Sequence, residues 1–176
     1  FDHVTSTPVT TFTDHLFHEK DLVSPGLSGH LFVGEDFRQQ RSQTFSFDLP
    51  DHVEDTPVWL RSTFVSAVSS LSTITYSANG TELSARSSVS AINEYNYAIR
   101  TTMSTDIHSI GDKLEFGITF QPSGIPQKAN LDAIIINYTR RLSLFHGQLA
   151  FTLRTPSASL ADASENTVIW DVTDPL

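Results

Sequence analysis

At 176 residues the chain has the length of one domain, or of one domain with a short extension, and folding buries about 70% of the surface such a chain exposes when unfolded. The absence of cysteine excludes disulfides, cysteine-ligated zinc and a thiolate nucleophile from this chain. With 20 acidic residues against 11 basic ones the formal net charge is −9, and Arg140-Arg141 is the only adjacent basic pair, so there is no basic surface to displace counterions from nucleic acid. An acidic chain gains little from an anionic membrane surface, and no apolar run approaches the ~18 residues of a membrane helix. Nucleic acid and membrane insertion are therefore not expected. The chain opens at Phe1 with neither initiator Met nor signal peptide, as expected of a piece of a longer polypeptide.

Frequent Thr, Ser, Val, Ile and Phe favour strands over helices. In chain order, Val4–Thr13 reads as a first strand, and Pro8 suits an edge position. A turn at Thr13-Asp14 is expected to let Leu16–Lys20 pair back. Ser24–Gly29 is a loop by its Pro and Gly content, and residues 34–42 have room for one helical turn. Thr44–Leu49 alternates, with Phe45, Phe47 and Leu49 inward, and Pro50–Pro57 is an acidic turn. Val58–Val65 follows as a strand, with Val58, Leu60 and Phe64 sharing neighbours. Ser72–Ala78 and Thr81–Ala85 flank Asn79-Gly80, the pair preferred in a two-residue type I′ hairpin.

Asn96–Met103 and Lys113–Phe120 are two further strands, and Gln121–Asn130 is a loop. Leu131–Leu144 is the longest β-type run in the chain. Ile134, Ile136, Tyr138 and Leu142 share one period-2 face, with Ala133, Ile135 and Thr139 on the other. Apolar residues on both faces predict a central strand covered on both sides. After a turn at His146-Gly147, Gln148–Arg154 is expected as a strand. Ser157–Asn166 is the most linker-like stretch, and Val168–Val172 a last short strand. About nine or ten strands with turn signals every ~8–12 residues indicate an all-β sandwich or barrel.

Candidate chemistry is thin. His15, His18 and Glu19 together have ligand chemistry, but i, i+3 spacing serves zinc on a helix, so a solvated strand end is the favoured reading. Asp48, Asp51, Glu54 and Asp55 could offer calcium clustered carboxylates, but they match no known loop. Gly26-Leu27-Ser28-Gly29-His30 lacks the Gly-x-Ser-x-Gly elbow of a serine hydrolase. Trp59 and Trp170 are able to stack on sugar rings, although apolar neighbours favour a core or interface role. Asn79-Gly80-Thr81 and Asn137-Tyr138-Thr139 match the glycosylation pattern, but the turn and the strand account for them. No catalytic, cofactor-binding or metal residue is assigned, and no cofactor is expected; whether calcium binds is left open.

Three stretches resemble a known family. Ser28-Gly29-His30-Leu31-Phe32-Val33-Gly34-Glu35-Asp36-Phe37, with the lead-in His18-Glu19-Lys20-Asp21, is similar to a segment near the start of the type IX secretion sortases of Bacteroidetes, the PorU family. That segment has the form "Ser-Gly-Arg-x-Trp-x-Gly-Glu-x-Phe"; His30 stands for its Arg and Phe32 for its Trp. Leu131–Leu142 resembles that family's "Leu-Asp-x-Ile-x-x-Asn-Tyr-x-Arg-x-Leu" strand. Ile169–Pro175 resembles the close of the same region. A "Leu-Asp-x-Ile" strand also occurs in carbohydrate-binding jelly rolls.

The resemblance implies a two-sheet β-sandwich of jelly-roll (galactose-binding-like) character. It implies a place upstream of the catalytic domain of a gingipain-like cysteine peptidase at the cell surface, on the extracellular side of the outer membrane. The family removes sorting domains from secreted cargo and helps attach that cargo to lipopolysaccharide. Its catalytic His and Cys lie further along, so none is carried over to this chain. The expected division is a sandwich at 1–156 and, at 157–176, a linker and short strand leading to the next domain. Expected partners are that catalytic domain and, further afield, cargo or other secretion-system proteins. Val168, Trp170 and Val172 are expected either to meet the following domain or to close this sandwich. The rival reading is a carbohydrate-binding module, marked by an exposed aromatic platform; an independent hydrolase is a more distant one.

Overall fold

The computed structural model describes residues 7–26, 29–93, 97–144, 147–153 and 157–172. Among these it has eight strands, β1 (Thr11–Glu19), β2 (Ser42–Asp48), β3 (Val58–Ala67), β4 (Ser72–Ala78), β5 (Thr81–Val89), β6 (Ile99–Ile107), β7 (Lys113–Gln121) and β8 (Lys128–Arg141). There is no helix among the described residues; where residues 34–42 leave room for a helical turn, Asp36 instead bridges to Asn130.

The strands form two four-stranded sheets, ordered β1-β8-β3-β6 and β2-β7-β4-β5. All their pairings are antiparallel. Only β4 and β5 are both consecutive and paired; every other connection crosses from one sheet to the other. That is the jelly-roll arrangement of two interlocked Greek keys. The β4–β5 turn is the expected type I′, with Asn79 at φ 48° and Gly80 at φ 79°.

Period-2 alternation fills the space between the sheets. Leu60 and Phe64 of β3 and Ile134, Ile136 and Tyr138 of β8 meet Ile74 and Tyr76 of β4 and Leu114, Phe116, Ile118 and Phe120 of β7, all of them buried. Phe64 ties the layers together: its ring lies 5.2 Å from Phe37 of the β1–β2 connection and 5.4 Å from Phe120 of the other sheet.

Several expectations are corrected. β1 is one unbroken edge strand across Thr13-Asp14, because Asp14 turns inward to pair with Arg140 at 2.8 Å rather than starting a turn. Ile135 and Ala133 are half-buried on an outer face, since the described molecule has two layers and the second face of β8 meets no third. Residues 148–153 make no strand, although the Phe151 ring packs 5.9 Å from Phe12. Residues 168–172 form no strand: Val168, Ile169, Trp170 and Val172 are 70 to 80% exposed, so these four side chains do not close the sandwich. Before them, Ala158 and Ala161 make parallel bridges to Val9 and Ser143, which holds Ser157–Ala161 against the ends of β1 and β8. Parts of the expected strands 4–13 and 96–103, Arg154 and residues 173–176 fall outside the described residues.

Ile136 is fully buried at the centre of β8, facing Leu16 of β1 and Leu60 of β3 in register. Ile136→Asp places an unpaired charge there and is expected to cost about 3–5 kcal/mol. Urea denaturation measures it; an unchanged midpoint contradicts the placement of β8.

Candidate functional site

The residues singled out from sequence separate in space. On β1, His15 and Glu19 face outward while His18 turns toward the interior, so the alternation of a strand divides the His15–His18–Glu19 set between two faces. The acidic turn is also dispersed. Asp51 lies 3.4 Å from Arg140 and Asp48 lies 4.0 Å from Lys113, while Glu54 and Asp55 are exposed. No group of His, Asp and Glu among the described residues is placed to hold a metal. Ser28 falls outside the described residues. Asn79 spends its amide on tying the hairpin turn to β7, donating to Lys113 O at 3.3 Å and accepting from Glu115 N at 2.7 Å.

Two of the three stretches that resemble the sortase family, residues 28–37 with their lead-in and residues 131–142, meet at one place. β1 leaves the side of β8 at Glu19, opposite Ala133. Residues 34–37 then take over that side: Gly34 N donates to Leu131 O at 2.7 Å, Leu131 N to Glu35 O at 3.0 Å, and Phe37 N to Ala129 O at 2.7 Å. Glu35 Oε1 lies 2.9 Å from His18 Nε2 and 3.0 Å from Lys20 Nζ, tying this segment to the end of β1. A Cβ on Gly34 would sit 3.1 Å from Lys20 O and 3.2 Å from Lys20 Cβ, so the close approach itself calls for glycine. Phe37 is fully buried beyond it. His18, Lys20, Glu35 and Gly34 are thus parts of a latch, and His18, Lys20 and Glu35 also line an open polar groove of about 340 Å³ with Gln43, Thr44, Phe45 and Ser46. Among the described residues no hydroxyl is hydrogen-bonded to His18, which packs 5.0 Å from the Phe45 ring.

A second network, not apparent from sequence, closes one end of the sandwich. Arg140 bridges Asp14 and Asp51, and Tyr138 donates to Asp14 Oδ2 at 3.3 Å. Burial pushes the Tyr138 hydroxyl above its ordinary range, and the charge of Asp14 adds to the rise. His52, buried beside the Tyr138 ring, lies 3.2 Å from both Gly111 O and Thr56 Oγ1. Thr56 donates its proton to Val53 O at 2.7 Å, so this histidine–threonine pair is a loop tie and not an activated nucleophile.

The two outer faces of the sandwich are dressed differently. On β2-β7-β4-β5 the outward residues include Ser42, Thr44, Ser46, Thr119, Thr73 and Thr75, with every aromatic of that sheet turned inward. On β1-β8-β3-β6 the outward residues include Phe17, 57% exposed, and half-buried Ile135 and Trp59. Trp59 is therefore outside the core, with the Arg61 guanidinium 5.9 Å from its ring centre. Trp170 is exposed as well. The alternation around Trp59 in β3 was readable in sequence, but which side faced the other sheet was not.

Fold and surface together define an all-β jelly-roll sandwich with one Ser/Thr-covered face and one aromatic face. Among solved structures the chain matches dimeric latent PorU from Porphyromonas gingivalis, with a TM-score of 0.64 and 20% identity, over 80% of this chain and 14% of that one. At that identity the likeness is one of fold alone. This chain spans only a small part of the longer protein. No family model matches the chain, and no curated protein gives a significant match.

The latch has a pH signature. Burial alone would raise the Glu35 carboxyl, but a backbone hydrogen bond, Lys20 and His18 outweigh it and hold it below the usual glutamate value. A carboxyl depressed in the folded state stabilises above its unfolded value of about 4.3 and loses that contribution as pH falls through the folded value. The stability difference between the native chain and Glu35→Gln is expected to shrink on acidification below about pH 4.3. Urea melts across pH 3 to 7 check it; a difference independent of pH contradicts the ionised latch.

Proposed function

We propose that this chain is a non-catalytic accessory domain of a type IX secretion sortase-like cysteine peptidase, exported to the cell surface, where it scaffolds the peptidase. The observation that carries the reading is the fold shared with part of PorU over 80% of this chain. The resemblance of residues 28–37 and 131–142 supports it, because these two stretches are hydrogen-bonded partners in the fold. The parent's nucleophile and base belong to another domain, in keeping with a chain that has no cysteine. In this reading residues 1–156 form the scaffold and 157–176 lead to the next domain, with Ser157–Ala161 held on the sandwich.

Val168–Val172 is the contact offered to the peptidase domain. Four large apolar side chains within five residues, each 70 to 80% exposed, are the kind of exposed apolar segment that marks an interaction site. Secreted cargo and other secretion-system proteins are further partners that such a scaffold would present to the peptidase.

Trp170→Asp tests the contact. Because Trp170 touches little in this chain, the isolated domain is expected to change by less than about 0.5 kcal/mol. The same substitution in the parent polypeptide is expected to speed limited proteolysis between this domain and the next. A destabilised isolated domain, or a parent with unchanged protection, overturns the contact. A separate expectation concerns activity: the isolated chain cleaves no peptide with or without a reducing agent. Turnover that survives repurification, or labelling of Ser28 by a serine-hydrolase probe, contradicts it.

A further inference from the structure

We propose that the outer face of the β1-β8-β3-β6 sheet carries a binding site for a neutral oligosaccharide, centred on Trp59. The site is a single row across the sheet. His15 stands opposite Asn137, Asn137 opposite Trp59, and Trp59 opposite Asp106, so the four side chains come from β1, β8, β3 and β6 in turn. Neighbouring strands lie about 4.8 Å apart, which makes the row about 14 Å long. That length suits a short run of sugar rings better than one ring.

The chemistry of the row fits a saccharide. The indole offers an apolar face to the C–H side of a pyranose, as aromatic side chains with a wet edge do at interfaces. On either side of it, an amide, a carboxylate and an imidazole supply donors and acceptors for ring hydroxyls. The Asn137 amide, the Asp106 carboxylate and the His15 imidazole make no side-chain hydrogen bond to other described residues, although each stands on a regular, well-paired strand. An aligned row of unengaged polar groups around one aromatic ring is more than a solvated face requires. The Ser/Thr face of the other sheet has no aromatic counterpart.

Charge selects the kind of sugar. On this face Asp106 and Glu19 stand with Arg61, Arg100 and Arg141, so the charges around the row are mixed, while the whole chain carries −9. A neutral chain of sugars is indifferent to that balance, and an anionic one is disfavoured by the net charge of the chain. The Arg61 guanidinium, 5.9 Å from the Trp59 ring centre, adds donors for sugar hydroxyls beside the indole. This inference uses neither Val168–Val172 nor the sortase reading and stands or falls separately from them.

The test is a titration of the chain with cellohexaose, xylohexaose and mannohexaose, read by tryptophan fluorescence in a Trp170→Phe background and by amide NMR shifts. At least one hexaose is expected to quench Trp59 at millimolar concentration or below and to move the signals of His15, Asn137 and Asp106. Trp59→Ala and Asn137→Ala are each expected to weaken binding at least about tenfold with an unchanged melting temperature, and Trp59→Phe to retain part of it. Four results overturn the proposal: no hexaose shifts these signals, binding persists in Trp59→Ala, only dextran sulfate binds, or the shifts map to the Ser/Thr face.

Discussion

The side of β8 that β1 abandons after Glu19 is the constraint on which the rest of this molecule depends. From Ala133 toward its N-terminus, β8 would have an open edge in the middle of a sheet, and buried backbone groups left unpaired there are costly. Residues 34–37 fill that edge with three backbone hydrogen bonds. Gly34 permits the approach, Phe37 anchors the segment in the core, and Glu35 ties it back to Lys20 and His18. Both sheets feel the closure, because Phe37 touches Phe64, and Phe64 touches Phe120 across the core.

This explains why residues resembling a secretion sortase motif look like chemistry in sequence and behave as architecture in the fold. In sequence His18 reads as a metal-ligand candidate with His15 and Glu19, whereas in the fold it joins Lys20 in binding Glu35. Here the glutamate accepts from both bases at once, and the glycine is needed because another backbone lies against it. His30 and Phe32, where the chain departs from the motif, are exposed and outside the latch. The surfaces proposed for binding lie elsewhere: around Trp59 on the outer face of β1-β8-β3-β6 and in the exposed segment Val168–Val172.

How much of this was legible in sequence follows from the topology. The Asn79-Gly80 hairpin could be read because β4 and β5 pair locally through a turn with its own chemistry. β7 and the part of β8 from Ile134 to Tyr138 could be read because their inner faces alternate, whereas the register shift opposite Thr63 and Phe64 hides the start of β8. The pairing partners could not, since every other sheet neighbour is distant along the chain. Local signals misled where tertiary contacts overrode them. Thr13-Asp14 reads as a turn until Arg140 arrives to pair with Asp14. Val168–Val172 reads as a strand because its composition is right, but a strand also needs a neighbour. Outward and inward faces of β3 look alike in sequence, which left Trp59 unplaced.

Native-state hydrogen exchange at the amides of Gly34, Phe37 and Leu131 tests the latch most directly. If closure of this edge holds the jelly roll together, these amides exchange only through global unfolding, with the same free energy as Leu60 and Ile136 in the adjoining strands. Exchange of all three at a much lower free energy, while Leu60 and Ile136 stay protected, would show that the segment opens on its own and that the fold does not depend on it.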